Sequence, residues 1–178
     1  MVNMLFADGF EEVEALAVVD MLRRADIKIN MVSVSESSFV IGAHGIKVET
    51  DINLKDVKVS DMLVLPGGVP GVPNLRDNKQ VLDLIKLYYN SDKYIAAICA
   101  APSILAELSL IDGKKVTSYP SYSDKLGDAV YTDDSVTVDG KFVTSKACGT
   151  VFDFAFKIIE ILKDKDTALK VSKSVYYR

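Results

Sequence analysis

A chain of 178 residues with 49% hydrophobic and 26% charged side chains can bury a core as one domain without covalent staples. Its net charge of −4, with basic residues scattered among acidic ones, excludes the basic stripe of a nucleic-acid binder. Two cysteines make no disulfide framework, no stretch approaches the ~18 apolar residues of a bilayer span, and residues 1–7 lack a basic leader, so a cytoplasmic protein with no membrane or nucleic-acid partner is expected.

In chain order, residues 1–7 read as a buried strand and Asp8-Gly9 as its turn. Residues 11–25 read as a helix with Val13, Leu16, Ala17, Val19 and Leu22 on its apolar face. Residues 28–34 form a second strand, so the chain opens as a βαβ unit, which implies a parallel sheet and a right-handed crossover. Residues 39–41 and 46–48, around Gly42-Ala43-His44-Gly45, suggest a hairpin outside the main sheet. Residues 61–65 are again a strand, ending in Pro66-Gly67-Gly68. A glycine-rich loop to Pro73 and a helix over 79–89 follow, and then an apolar strand that ends at Cys99. Beyond it come a helix over 103–108, a short strand over 115–118, paired strands 135–138 and 142–145 around Asp139-Gly140, and helices over 150–162 and 166–174. With no repeat or linker, residues 1–178 read as one three-layer α/β domain. Ligands of such sheets sit beyond the carboxyl ends of the strands. Three of those ends carry chemistry-bearing residues: the one before Glu11 to Glu14, the one before Gly67-Gly68, and the one at Cys99.

Cys99 stands where the apolar strand turns into a helix, with small residues two positions before and after it, Ala97 and Ala101. This is the pattern of a nucleophile elbow. A following helix N-terminus is expected to favour the thiolate, the attacking form of the thiol. The competing reading is a buried cysteine acting as a small hydrophobe. Glu11 and Glu12 read as ordinary helix-end carboxylates, whereas Glu14 falls near the edge of the buried stripe.

Four segments then become recognisable together: Ala-Asp-Gly-Phe-Glu-Glu-Val-Glu at 7–14, Val-Leu-Pro-Gly-Gly at 64–68, Ala-Ala-Ile-Cys-Ala-Ala-Pro at 96–102 and Thr-Ser-Lys-Ala-Cys-Gly-Thr at 144–150. In this order and spacing the chain resembles the ThiJ/PfpI superfamily, and within it the branch of the Parkinson-disease protein deglycase and its bacterial relatives. The resemblance implies a flavodoxin-like three-layer αβα sandwich with a mainly parallel sheet, and a homodimer packed through the first helix. It implies Cys99 as nucleophile and Glu14 as the carboxylic acid bonded to its sulfur, a protonated carboxyl stabilising the thiolate. The backbone N–H groups of Gly68 and Ala100 would face the oxygen that gains charge. The activity implied is cofactor-independent conversion of α-oxoaldehydes such as methylglyoxal to hydroxy acids (glyoxalase III type), or deglycation of early glyoxal adducts. The alternative is an oxidative-stress sensor or redox chaperone working through reversible Cys99 oxidation.

Two departures bear on the chemistry. Tyr119 fills the slot in which many relatives carry a histidine, and a phenol is a poor base at neutral pH. The sole histidine, His44, reads as an exposed loop residue. Cys148 replaces a proline common in relatives; it reads either as an inert small residue or as a thiol that resolves oxidised Cys99 across the family's dimer interface. Ala100 stands where a protease branch has histidine, which excludes that activity. No metal-ligand cluster or complete phosphate-binding motif is apparent along the chain, so no cofactor or metal is expected.

Overall fold

The computed structural model describes residues 1–177. Val2–Phe6 (β1) is buried along its whole length, as a strand covered on both faces must be. Glu12–Arg24 (α1) crosses over to Ile29–Ser33 (β2), which pairs parallel with β1 in the register Phe6 to Ser33. Phe39–Ile41 (β3) and Lys47–Glu49 (β4) form the expected separate hairpin, and Ile52–Asn53 (β5) adds a short edge strand beside β2. Met62–Leu65 (β6) lies on the other side of β1 and leads through Gly71–Arg76 (α2) and Lys79–Asn90 (α3) to Tyr94–Ile98 (β7). After Pro102–Glu107 (α4), Lys115–Val116 (β8) pairs with Val130–Tyr131 (β9) in a small sheet of its own. Val136–Asp139 (β10) and Phe142–Ser145 (β11) complete the main sheet, and Val151–Leu162 (α5) and Lys165–Ser174 (α6) close the chain.

The main sheet runs β10-β11-β7-β6-β1-β2-β5, parallel except for the edge strand β10. Alternate strand residues feed two cores. Met4, Phe6, Val64, Ala96 and Ile98 face α1, α5 and α6, while Leu5, Leu63, Leu65, Ile95 and Ala97 face α3 and α4. Cys99 packs against both cores. Among the described residues no helix is long and apolar enough to cross a membrane.

The structure corrects the sequence reading in several places. The buried stripe of α1 is Glu12, Glu14, Ala15, Val18, Val19, Met21 and Leu22, and Val13 is 49% exposed. Val13 lies roughly 200° around the helix from Ala15, so it cannot share that stripe. The glycine-rich stretch contains α2, anchored by buried Val72 and Leu75; Pro73 fits in its first turn because no intrahelical N–H bond is needed there. Strands β5 and β9, two residues each, are too short to show a pattern. The strand read at 115–118 pairs with β9 rather than with the main sheet.

Candidate active site at the Cys99 corner

The register aligns the carboxyl ends of the central strands, Leu65 pairing with Ala97 and Ile98 with Ser145. Cys99, the next residue, has φ of 65°, the left-handed region that a side chain occupies at a cost of about 1–3 kcal/mol. Two backbone bonds hold it there: its N–H donates to the Ser145 carbonyl at 3.0 Å, and its own carbonyl accepts from the Tyr119 N–H at 2.8 Å. Ala97 and Ala101 are fully buried on either side, so the small residues fit where strand meets helix. The backbone N–H groups of Gly68 and Ala100 lie at this corner and lower the proton affinity of the Cys99 sulfur.

Glu14 reaches this corner from the first turn of α1. Glu11 caps that turn, accepting the Glu14 N–H at 2.7 Å, and donates its own N–H to the Gly67 carbonyl at 3.0 Å. Only 1% exposed, the Glu14 carboxyl accepts the Gly67 N–H on Oε2 at 3.1 Å, and that oxygen faces the Cys99 sulfur beside Gly67. On Oε1 it accepts the Cys148 thiol at 3.6 Å. One carboxyl therefore lies between both thiols of the chain.

Burial pushes the Glu14 carboxyl up to about 7, against the lowering effect of the bond from Cys99. Burial, followed by the charge and hydrogen bond of Glu14, pushes the Cys99 thiol up to about 12; the Gly68 and Ala100 N–H groups act in the opposite direction. This corrects the expectation of a thiolate set by the following helix. That helix is only six residues long, and desolvation together with an adjacent carboxylate outweighs it. The two groups are adjacent and their titrations are coupled, each raised by burial.

Gly67 was missed in the sequence, where Pro-Gly-Gly reads as a common turn. A Cβ there would lie 2.5 Å from the Cys99 Cβ, 3.0 Å from its sulfur and against the Glu14 carboxylate, so only glycine lets the two groups meet. Gly68 has φ of 103°, and a Cβ on it would strike the backbone of Gly9, Phe10 and Glu11. Tyr119 is tied to the corner by its backbone, and its side chain is 44% exposed. Cys148 lies in the turn before α5, half-buried, and its thiol donates to Glu14 of its own chain. Burial and then the bond to Glu11 push its thiol up.

Glu12 is more than a helix-end charge. It is buried, accepts the His44 N–H on Oε1 at 2.7 Å and meets His44 Nδ1 on Oε2 at 2.8 Å, so His44 is committed to a carboxylate. The fold also assembles what spacing along the chain did not show. Ligand-type atoms of Glu11, Glu14 and Cys148 lie within 4.8 Å of one another, as do those of Glu11, Glu12 and His44. The first triad is joined by hydrogen bonds through Glu14, and in the second His44 bonds Glu12 while Glu11 acts on it only through its charge.

The description of the DJ-1/PfpI family matches residues 1–161. Protein dj-1beta of Drosophila melanogaster is 36% identical over 175 residues, covering 96% of this chain and 94% of that protein. Its crystal structure superposes with a TM-score of 0.96 at 35% identity, covering 99% of this chain and 97% of the other. The glutathione-independent glyoxalase DJR-1.2 of Caenorhabditis elegans is 34% identical over 157 residues, 86% of this chain and 83% of that protein. Oxidized Toxoplasma gondii DJ-1 superposes with a TM-score of 0.95 at 32% identity, covering 99% and 97%. The chain spans only 39% and 45% of two longer Arabidopsis thaliana DJ-1 homologues. With a mainly parallel sheet, helices on both faces and a strained cysteine beyond its central strand, this chain belongs to the DJ-1/PfpI family.

Proposed function

We propose that the protein is a cofactor-independent, cysteine-dependent enzyme acting on α-oxoaldehydes such as methylglyoxal. The observation that carries this reading is the strained Cys99 corner with the buried Glu14 carboxyl facing its sulfur beside Gly67, supported by backbone N–H groups of Gly68 and Ala100 that lower the sulfur's proton affinity. In this reading the sulfur adds to the aldehyde carbon while its proton passes to Glu14 and on to the aldehyde oxygen, giving a hemithioacetal. Transfer of the aldehydic hydrogen to the neighbouring carbonyl carbon yields a thioester. Water then cleaves the C–S bond, releasing the hydroxy acid and restoring the thiol. Attack on an early glyoxal adduct would begin with the same addition, so deglycation belongs to the same proposal. The named glyoxalase activity of the nematode relative supports it. A homodimer, as the resemblance implies, is the assembly proposed, in the reducing cytoplasm that a two-cysteine chain without a disulfide framework favours.

A second reading, an oxidative-stress sensor, is favoured by one observation: the only histidine is bound to Glu12 and leaves Cys99 without an imidazole base. The test is methylglyoxal consumption with lactate detection in glutathione-free buffer, comparing wild type, Cys99→Ser and Glu14→Gln. Turnover lost in both variants supports the enzyme. A folded wild type without turnover refutes it and leaves the sensor.

A further inference from the structure

We propose that Cys99 and Cys148 form an intrachain dithiol that reduces hydroperoxides, with Glu14 as the shared proton carrier. This inference rests on Cys99 being a nucleophilic thiol and not on the aldehyde chemistry. Three observations carry it. The Cys148 thiol donates to Oε1 of the buried Glu14 carboxyl, whose Oε2 faces the Cys99 sulfur beside Gly67. Cys148 sits in a turn whose next residue, Gly149, is exposed and would have open space even around an added Cβ, so this turn has room to move its sulfur. Both cysteines are half-buried, reachable by a small peroxide.

In the first step the Cys99 sulfur attacks the outer oxygen of the peroxide and the O–O bond breaks. The sulfur, oxidised by two electrons, becomes a sulfenic acid, and the departing oxygen takes the thiol proton and leaves as an alcohol, or as water from hydrogen peroxide. In the second step the Cys148 sulfur attacks the sulfenic sulfur. An S–S bond forms, the S–O bond breaks, and the Cys148 proton crosses Glu14 Oε1 to leave with the hydroxyl as water. A low-molecular-weight dithiol such as dithiothreitol then restores both thiols while being oxidised itself. Cys148 here resolves the oxidised nucleophile before a second equivalent of peroxide can add further oxygens.

The experiment treats the reduced full chain with one equivalent of hydrogen peroxide and examines it by intact mass, non-reducing gel and peptide mapping. The expected product is a monomer two hydrogens lighter, with the Cys99 and Cys148 peptides joined, and catalytic peroxide consumption in the presence of dithiothreitol. In Cys148→Ser, Cys99 should instead gain two or three oxygens and multiple turnover should be lost, while the melting temperature shows that the fold persists. A cross-linked dimer, or a wild type in which Cys99 carries only oxyacids, overturns the proposal. Either result is independent of lactate formation from methylglyoxal, so failure here and failure of the aldehyde reading are distinguishable.

Discussion

Glu12 and Glu14 lie two residues apart in the first turn of one helix, both buried, yet their proton affinities move in opposite directions. Burial works against ionisation of Glu12, but the side-chain and backbone bonds from His44 outweigh it and hold the carboxyl below its usual range. Glu14 receives one backbone N–H and the Cys148 thiol, with Cys99 beside it, weak partners that do not offset burial, and it rises to about 7. What separates the two carboxyls is therefore both the strength of their donors and their depth, since Glu12 meets an exposed loop histidine while Glu14 faces the interior. Glu12 pins a loop; Glu14 is left able to take and give a proton near neutral pH.

The largest expected effect comes from removing the second of these. Glu14→Gln should lower kcat/KM for methylglyoxal by about 10²–10⁴-fold, the usual worth of a positioned acid or base, whereas Glu12→Gln should leave most of the activity. In wild type, kcat/KM should climb as pH rises through about 7, where Glu14 ionises and can accept the thiol proton. A profile that is flat there, or an unchanged rise in Glu14→Gln, would remove Glu14 from the mechanism. Gly67→Ala should be nearly as damaging to activity, because its methyl would occupy the space between the Cys99 sulfur and the Glu14 carboxylate. Its cost in stability should be about 1–3 kcal/mol, as for an overpacked core site, and thermal melting beside the lactate assay separates the two losses.

Stability should divide the same pair with opposite signs. Because the folded pKa of Glu14 lies above its usual 4.5, its contribution favours the fold fully below about pH 4.5 and is lost as pH rises through about 7. Glu14→Gln should accordingly stabilise the protein at pH 8 by up to about 3 kcal/mol relative to wild type, with the gain vanishing below about pH 4.5. Glu12→Gln should instead destabilise it by about 1–2 kcal/mol at pH 6, through loss of charge-assisted bonds to the loop. Urea titrations of both variants at the two pH values check the signs, and equal signs at pH 8 would dissolve the distinction drawn above.

The main architecture was legible because its signals are local. Alternating apolar strands and helices gave the principal elements in chain order, and Cys99 announced itself by standing between a strand and a proline-led helix. Glu14 could be placed because a carboxylate near an apolar stripe is unusual. The roles of Glu12, Gly67 and Cys148 were not legible, since each depends on a partner far along the chain: His44, the Cys99–Glu14 pair, and Glu14. A glycine that must be empty of a side chain looks, in sequence, like any turn. The exposed position of Val13 was hidden for a related reason, because two buried carboxylates occupied positions that a count of apolar residues assigns to the outside.

The smallest effect concerns the loop that Glu12 holds. The His44 ring is largely exposed, but its bond and charge pairing with Glu12 raise its pKa above the usual 6.5. The pairing is fully present below about pH 6.5 on the histidine side and is lost as pH rises through the raised value. On the side of Glu12, whose pKa is lowered, it is fully present above 4.5 and lost as pH falls through the lowered value. The contact should therefore be strongest between those two limits, and amide exchange across residues 42–46 should quicken on either side while the Cys99 corner follows only the titration of Glu14. A chain with a single histidine makes the measurement unambiguous: its one imidazole resonance should titrate above 6.5 in wild type and move back toward 6.5 in Glu12→Gln. An imidazole that titrates at or below 6.5 in wild type would mean that Glu12 is held by backbone donors alone, and the contrast with Glu14 would then rest on the His44 and Ile46 N–H groups.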